Sequence, residues 1–280
     1  MLTLLALPFA ASTARAQDVS DWTAQPHTAV RLIAGTMTKT PGAAFVRAGI
    51  EIKLDPGWHT YWHDPGDTGV PPTFDFSGSD NVKSATVYWP APERFSDGAG
   101  GISIGYVDHV ILPVRVALKD PARQPSLRLK LGYAICGNLC VPVEASLQIA
   151  LNGDGAENAA IEKAEIRVPR RVPLAEKDEK GKGLAVLAVH RQPGGAHDRV
   201  VVDVAAPANV PVELYVEGPT PDWSLPQPEA VHEPAGGDAT IRHFAFDLDG
   251  LPPDAHAKGA MLTFTAVSSD DAIEVPAHLD

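Results

Sequence analysis

The stretch Gly132-Tyr-Ala-Ile-Cys136-Gly-Asn-Leu-Cys140-Val-Pro-Val143 holds both cysteines of the chain. On either side of the cysteines, apolar residues alternate with polar or small ones, a pattern typical of β-strands. Between the cysteines, Gly137 and Asn138 are residue types that tolerate positive φ in a tight reversal. The stretch therefore predicts a β-hairpin in which Cys136 and Cys140 face each other across its mouth.

Two cysteines in such a position are within reach of a disulfide bond. Directly opposite residues of an antiparallel pair have Cα atoms about 4.5 to 5.5 Å apart. A bridge here would close a ring of five residues, for which chain entropy predicts roughly 2 kcal/mol of stabilisation. So small a ring at an exposed tip favours a bridge that exchanges with other thiols. An inert structural disulfide is the alternative, because secreted domains commonly carry one.

The N-terminus predicts export. Residues 2–11 form a short apolar run, and Ala14-Arg15-Ala16 before Gln17 has the small-x-small pattern of a signal-peptidase site, so residues 1–16 are predicted to be a signal peptide. No later run is long and apolar enough to predict a membrane span. The formal charge is -12, and removing Arg15 with the signal peptide makes it -13. Such an acidic chain disfavours binding to nucleic acid or anionic lipid.

The rest of the chain predicts many short strands in two β domains, with residues 17–167 and 184–280 separated by a linker over 168–183. The apolar alternation predicts strands and one short helix over the following ranges: 29–35, 44–54, 82–89, 106–118, 184–190, 199–204, 212–216, 241–248 and 261–267 for the strands, and 156–166 for the helix. Residues 70–76 contain paired prolines and predict an edge or linking segment. The second domain has no cysteine, and its histidines suggest no chemistry.

Two other stretches bear on function. His59 and His63 lie between two Asp-Pro-Gly turns, which favours a strand. In a strand the two side chains would be about 13 Å apart, too far to share one metal ion.

Residues 91–103 are rich in glycine and predict a mobile loop, of the kind that often covers a site. A surface loop without a role fits the composition as well.

Several motifs together resemble one family. They are Pro56-Gly57-Trp58-His59-Thr60-Tyr61-Trp62 with Pro65-Gly66-Asp67, Trp89-Pro90-Ala91-Pro92-Glu93-Arg94-Phe95, Gly105-Tyr106, Leu112-Pro113-Val114 and Cys136-Gly137-Asn138-Leu139-Cys140-Val141-Pro142. From about Thr28 to Leu151, the chain is similar to the periplasmic N-terminal domain of the thiol:disulfide interchange protein DsbD. The three-residue spacing between the cysteines is closer to the branch that contains the suppressor-of-copper-sensitivity protein ScsB.

The resemblance implies an immunoglobulin-like β-sandwich, here followed by a second, smaller β-sandwich-like domain. It implies that Cys136 and Cys140 form a redox pair, in which the more exposed cysteine attacks and the other resolves the mixed disulfide. We expect Cys140 to be the partner-linked sulfur. The positions that line the site in the family fall on His59, Tyr61, Phe95, Asp97 and Tyr106. In the family, a cap loop with acidic and aromatic residues shields the cysteine pair. The matching stretch here is residues 97–104, where Asp97 fits the acidic position and Ala99 stands at the aromatic position. Phe95 is then the residue that could supply the aromatic side chain.

The function expected from this resemblance is that of a periplasmic thiol:disulfide oxidoreductase of the protein-disulfide reductase type, with no cofactor beyond the cysteine pair. Its partners would be thioredoxin-like periplasmic proteins and a separate membrane-embedded electron donor. A different class of function is a copper-tolerance module whose two thiolates bind Cu(I), since soft ligands suit a soft ion. A third is an assembly or adhesion β-sandwich with a passive disulfide.

Overall fold

The computed structural model describes residues 18–40, 43–96, 101–175, 183–231 and 238–280. The elements of the first half in chain order are β1 (Thr23–Gln25), β2 (Thr28–Thr40), β3 (Ala43–Leu54), β4 (His59–Gly66), β5 (Thr73–Asp75), β6 (Val82–Val87), β7 (Glu93–Ser96), β8 (Ile102–Val107), β9 (His109–Leu118), β10 (Ser126–Cys136), β11 (Cys140–Ala150) and α1 (Asn158–Ile166). Those of the second half are β12 (Arg170–Arg171), β13 (Ala185–Gln192), β14 (Arg199–Ala205), β15 (Glu213–Glu217), β16 (Glu229–Val231), β17 (Ile241–Asp247), β18 (Met261–Val267) and β19 (Ala272–His278).

The first half is a β-sandwich of two sheets. One sheet has the strand order β1-β2-β3-β9-β6, and the other has the order β11-β10-β4-β8-β7, with β5 paired to β10. The alternating side chains of both sheets meet in one core, which includes Val46, Ile50, Leu112, Leu129 and Leu147. Helix α1 packs on the outer side of the first sheet, where Asn158 accepts a hydrogen bond from the backbone of Thr36 (2.8 Å).

The second half is another, smaller sandwich, with sheets β12-β19-β18-β15 and β13-β14-β17-β16. Its core is separate and includes Val202, Leu214, Phe246, Phe264 and Val275. The all-β fold predicted from the sequence, an immunoglobulin-like sandwich followed by a second one, is confirmed. In the described part of the chain α1 is the one α-helix, and its nine residues are far too few to cross a bilayer.

The structure differs from the predicted strands in four places. The predicted loop over 91–103 contains β7 and the beginning of β8, and these two strands pair with each other. Residues 97–100, between them, lie outside the described residues. The single strand predicted over 106–118 is two strands, because Asp108 adopts a positive φ of 57° and the chain passes there from one sheet to the other. The predicted linker over 168–183 includes β12, which pairs in parallel with β19. Strands β1, β16 and β19 were not predicted.

Candidate functional site

The cysteine hairpin forms as the sequence predicts. Strands β10 and β11 pair in register from Ser126 opposite Ala150 up to Cys136 opposite Cys140, which leaves Gly137, Asn138 and Leu139 as the turn. The two cysteines form a disulfide, with their Cα atoms 4.1 Å apart. Along β10 the residue before Cys136, Ile135, faces the main core and is fully buried. Because side chains alternate along a strand, the disulfide lies on the outer face of the sheet.

The two sulfur atoms differ in their exposure. Cys136 is 2% exposed and packs in a small cluster with Tyr61 and Ala134. Cys140 is exposed, as is the whole turn, and Leu139 beside it is 63% exposed. A visiting thiol therefore meets Cys140 first, and Cys136 is the cysteine shielded by protein.

Tyr61 provides a polar contact to the pair. It lies on β4, its side chain is 2% exposed, and its hydroxyl oxygen is 2.8 Å from Sγ of Cys136 and 3.5 Å from Sγ of Cys140. A phenol hydroxyl can donate a hydrogen bond to sulfur. When Cys136 becomes a thiolate, this hydrogen bond stabilises the charged form.

His59 lies next to the disulfide on the same strand as Tyr61. It is the register partner of Cys136 across β4 and β10. Its ring contacts Phe95 at a centroid distance of 4.3 Å and meets Tyr61 edge-on at 5.5 Å. Its Nε2 atom is buried and has no hydrogen-bond partner among the residues that the structure describes. Desolvation by burial lowers the pKa of His59, so the imidazole is neutral at pH 7.

An aromatic pair supports the tip of the hairpin. The ring of Trp58 lies so close to Gly137 that a Cβ added there would be 3.1 Å from it. The Trp58 ring in turn stacks on His27, with the centroids 4.1 Å apart and the planes 9° from parallel. The His27 imidazole is fixed by Asp55, whose carboxylate lies 3.0 Å from Nδ1. A side chain at Gly137 would therefore press on the indole ring, which would have to shift by a few tenths of an ångström to make room for it.

The predicted site residues fall into three groups. His59 and Tyr61 lie beside the disulfide, and Phe95 lies behind them, in contact with the His59 ring. Tyr106 is not brought to it, because Tyr106 faces the main core, where its hydroxyl donates to the carbonyl of Pro90 (2.8 Å). Asp97 lies outside the described residues. The support from Trp58 and His27 was not predicted as part of the site, although Trp58 belongs to the Pro-Gly-Trp-His motif.

A resident metal site is not apparent in the described segments, where no three His, Cys, Asp or Glu side chains cluster so as to hold an ion. In the disulfide form neither sulfur is a thiolate, and the thiolate is the form that binds a metal. Any metal at Cys136 and Cys140 would therefore require reduction first.

A sandwich that carries a disulfide across a hairpin tip, with one sulfur exposed and the other covered, has the arrangement that a thiol:disulfide exchange domain needs. Residues 35–152 match the family model described as "Thiol:disulfide interchange protein DsbD, N-terminal". The match confirms the resemblance that the cysteine hairpin and the Trp-His-Thr-Tyr motif led us to expect.

Among solved structures, the chain is similar to the crystal structure of the N-terminal periplasmic domain of ScsB from Proteus mirabilis, with a TM-score of 0.71 and 21% sequence identity. The alignment covers 94% of this chain and 98% of that chain, so both sandwiches are included. At this identity the likeness establishes the fold. No curated protein matches the sequence.

Proposed function

We propose that the chain is a periplasmic electron carrier, which accepts electrons from a membrane-embedded reductase and passes them to thioredoxin-like oxidoreductases through Cys136 and Cys140. The difference in exposure between the two sulfurs is the observation that carries this proposal. A carrier needs one sulfur that a partner can reach and a second, protected sulfur that resolves the mixed disulfide.

Reduction of the carrier would proceed in two exchanges. A thiolate of the donor attacks Sγ of Cys140, the bond between the two cysteines breaks, and Cys136 leaves as a thiolate that accepts a hydrogen bond from Tyr61. The donor's second thiol then attacks its own sulfur in the mixed disulfide and releases Cys140. The donor is oxidised to a disulfide, and the carrier gains two electrons and two protons. Passing the electrons on reverses these steps, with Cys140 attacking the acceptor's disulfide and Cys136 resolving the product.

The experiment is to trap the mixed disulfide. In Cys136→Ser the accessible Cys140 remains and the resolving sulfur is absent. After activation with Ellman's reagent, this variant should form a stable covalent complex with a thioredoxin that retains only its attacking cysteine, with release of thionitrobenzoate. Cys140→Ser is the matched variant, and we expect it to form the complex far more slowly because Cys136 is covered. Absence of a complex with both variants would rule out the carrier function.

The second candidate, Cu(I) binding by the reduced pair, is favoured by the 4.1 Å separation of the two Cα atoms, which keeps both thiolates on one face of the sheet. Titration of the reduced protein with Cu(I) against a chromophoric chelator tests it. One tightly bound equivalent that is lost in both serine variants would support copper binding. If the wild type and both variants compete equally with the chelator for Cu(I), copper binding by the cysteine pair is excluded.

A further inference from the structure

The second sandwich touches the first at β7, the strand whose Phe95 contacts His59 beside the disulfide. Arg94 of β7 extends into the second sandwich, where its guanidinium donates hydrogen bonds to the carbonyls of Leu214 (2.8 Å) and Pro228 (3.2 Å). Its Nε atom lies 3.2 Å from a carboxylate oxygen of Glu213. Only 17% of the Arg94 side chain is exposed. Two hydrogen bonds from one nitrogen to backbone carbonyls, together with an ion pair to a carboxylate, hold this largely buried guanidinium in place, although its Nε–H makes no hydrogen bond among the described residues.

Tyr215 reinforces this contact from the other side. It belongs to β15 of the second sandwich, yet it is 1% exposed and packs in the core cluster of the first. Its ring lies 5.8 Å from that of Trp62 and 5.4 Å from the guanidinium of Arg94, and its hydroxyl donates to the carbonyl of Pro92 (3.4 Å). Burial raises the pKa of Tyr215 far above its ordinary value, so this hydroxyl keeps its proton. The second sandwich thus holds both the start of β7 and the arginine within it.

Strand β7 is short and lies at the edge of its sheet, so the contact with the second sandwich adds to the support that it receives from one neighbouring strand. It has four residues and forms the end of its sheet, pairing with β8. Successive side chains of a strand point to opposite faces. Arg94 points to the second sandwich, and the next residue, Phe95, points to the redox site and contacts the ring of His59. His59 is the register partner of Cys136.

We propose that the second sandwich positions the redox site: through Arg94 it holds β7 so that Phe95 stays over His59, and this limits the approach of thiols to the disulfide from the side of Cys136. Arg94 and Tyr215 are then positioning residues, since neither touches a sulfur. The inference concerns the site of the proposed function, but its test uses a small thiol and therefore does not depend on a protein partner.

The test is the rate at which dithiothreitol reduces the disulfide in the full chain under native conditions. We expect Arg94→Met, which removes two hydrogen bonds and an ion pair, to increase this rate roughly tenfold or more, since the loss of even one hydrogen bond from a charged donor corresponds to about that factor. Arg47→Met is the matched control. Arg47 forms an ion pair with Glu165 of α1, on the other sheet of the first sandwich, and its loss should leave the rate unchanged. An unchanged rate in folded Arg94→Met, or an equal increase in both variants, would overturn the proposal.

A second comparison separates positioning from general loss of stability. Reduction through local release of β7 should be insensitive to low concentrations of urea, whereas reduction through global unfolding rises steeply with them. If Arg94→Met does not fold, Arg94→Lys keeps the charge without the planar fork and should give an intermediate rate. An Arg94→Lys rate equal to that of the wild type would then count against the proposal.

A double-mutant cycle tests the route through Phe95. Phe95→Ala should accelerate reduction by itself, and adding Arg94→Met should then change little, because the covering ring is already absent. If the two effects multiply as independent factors, Arg94 does not act through Phe95 and the proposed route is wrong. The trapping experiment with protein partners can fail without affecting the rates of reduction by dithiothreitol. The two proposals can therefore be rejected separately.

Discussion

Two antiparallel hairpins, β10–β11 in the first sandwich and β18–β19 in the second, differ in how their tips are held. In the first, the last register pair is Cys136 and Cys140, and a covalent bond closes it. In the second, the last pair is Val267 and Ala272, and the turn beyond it is closed by hydrogen bonds between Ser268 and Asp271. Similar strand geometry therefore supports either a chemical site or a purely structural turn.

The difference lies in what surrounds each tip. The first tip has a buried tyrosine hydroxyl on its sulfur atoms and an indole ring against its turn. At the second tip, Asp271 is bound by Arg170 of β12, which ties the turn to the neighbouring strand. The sandwich therefore places a hairpin tip at the surface in both domains, and a few side chains on adjacent strands decide whether that tip is a chemical site.

The largest expected effect comes from removing the polar contact at the first tip. Tyr61→Phe keeps the ring but deletes the hydroxyl 2.8 Å from Cys136. A hydrogen bond to a charged group contributes about 1.5 to 3 kcal/mol, so we expect the pKa of the Cys136 thiol to rise and exchange to slow by about tenfold or more. Stopped-flow exchange kinetics and the pH dependence of thiolate absorbance measure the two effects.

Tyr133→Phe is the matched control for that variant. Tyr133 lies three residues before Cys136, but it faces the core, where its hydroxyl is 3.0 Å from that of Thr28. Its loss should lower the free energy of unfolding by about 1 kcal/mol and leave exchange unchanged. Equal exchange rates in Tyr61→Phe and the wild type would show that the tyrosine contact has no part in the chemistry.

A smaller effect is expected at the second tip. Ser268→Ala removes a hydroxyl that donates to the carbonyl of Asp271 and accepts from its amide, both at 3.1 Å. We expect a loss of about 1 kcal/mol in the free energy of unfolding, measured in urea, because a neutral hydrogen bond contributes about that much. The rate of disulfide reduction should stay at the wild-type value. A change in that rate without a change in stability would contradict the contrast between the two hairpins.

The smallest effect concerns pH. Burial lowers the pKa of His59 below its ordinary value of 6.5, so the unfolded state takes up a proton at a higher pH than the folded state does. The stability that neutral His59 provides is therefore complete above about pH 6.5 and decreases as the pH falls from there to the folded pKa. In urea unfolding at a series of pH values, His59→Phe should show a shallower decline below about pH 6.5. Parallel declines would mean that His59 contributes nothing to this dependence.

Much of the hairpin was predictable because it depends on local signals. The apolar residues of β10 occupy odd positions from Leu127 to Ile135 and those of β11 odd positions from Val141 to Ile149, so both cysteines, at even positions, face outward. The turn followed from Gly137 and Asn138. His59 and His63 were correctly placed on a strand rather than a helix. The surroundings of the sulfurs, by contrast, came from the family motif, since no local pattern places Tyr61 beside Cys136.

The rest was not predictable from local patterns. Strand β7 was predicted to be loop because prolines precede it and glycines follow it, and its partner β8 lies beyond those glycines. The chain passes from one sheet to the other at Asp108 because of one backbone angle. The apolar alternation continues through this point, so the sequence pattern shows no break there. Arg94 reaches residues more than a hundred positions away, and such contacts leave no periodic signal. For the same reason, the contact of the second domain with β7 was found only in the structure.

We expect the bond between Cys136 and Cys140 to exchange with other thiols rather than to serve as a permanent structural crosslink. The most direct measurement is its equilibrium reduction potential against a series of glutathione buffers. A ring of five residues at an exposed tip predicts a potential above about -300 mV. A potential below about -300 mV, in the range of structural disulfides in secreted proteins, would contradict the account.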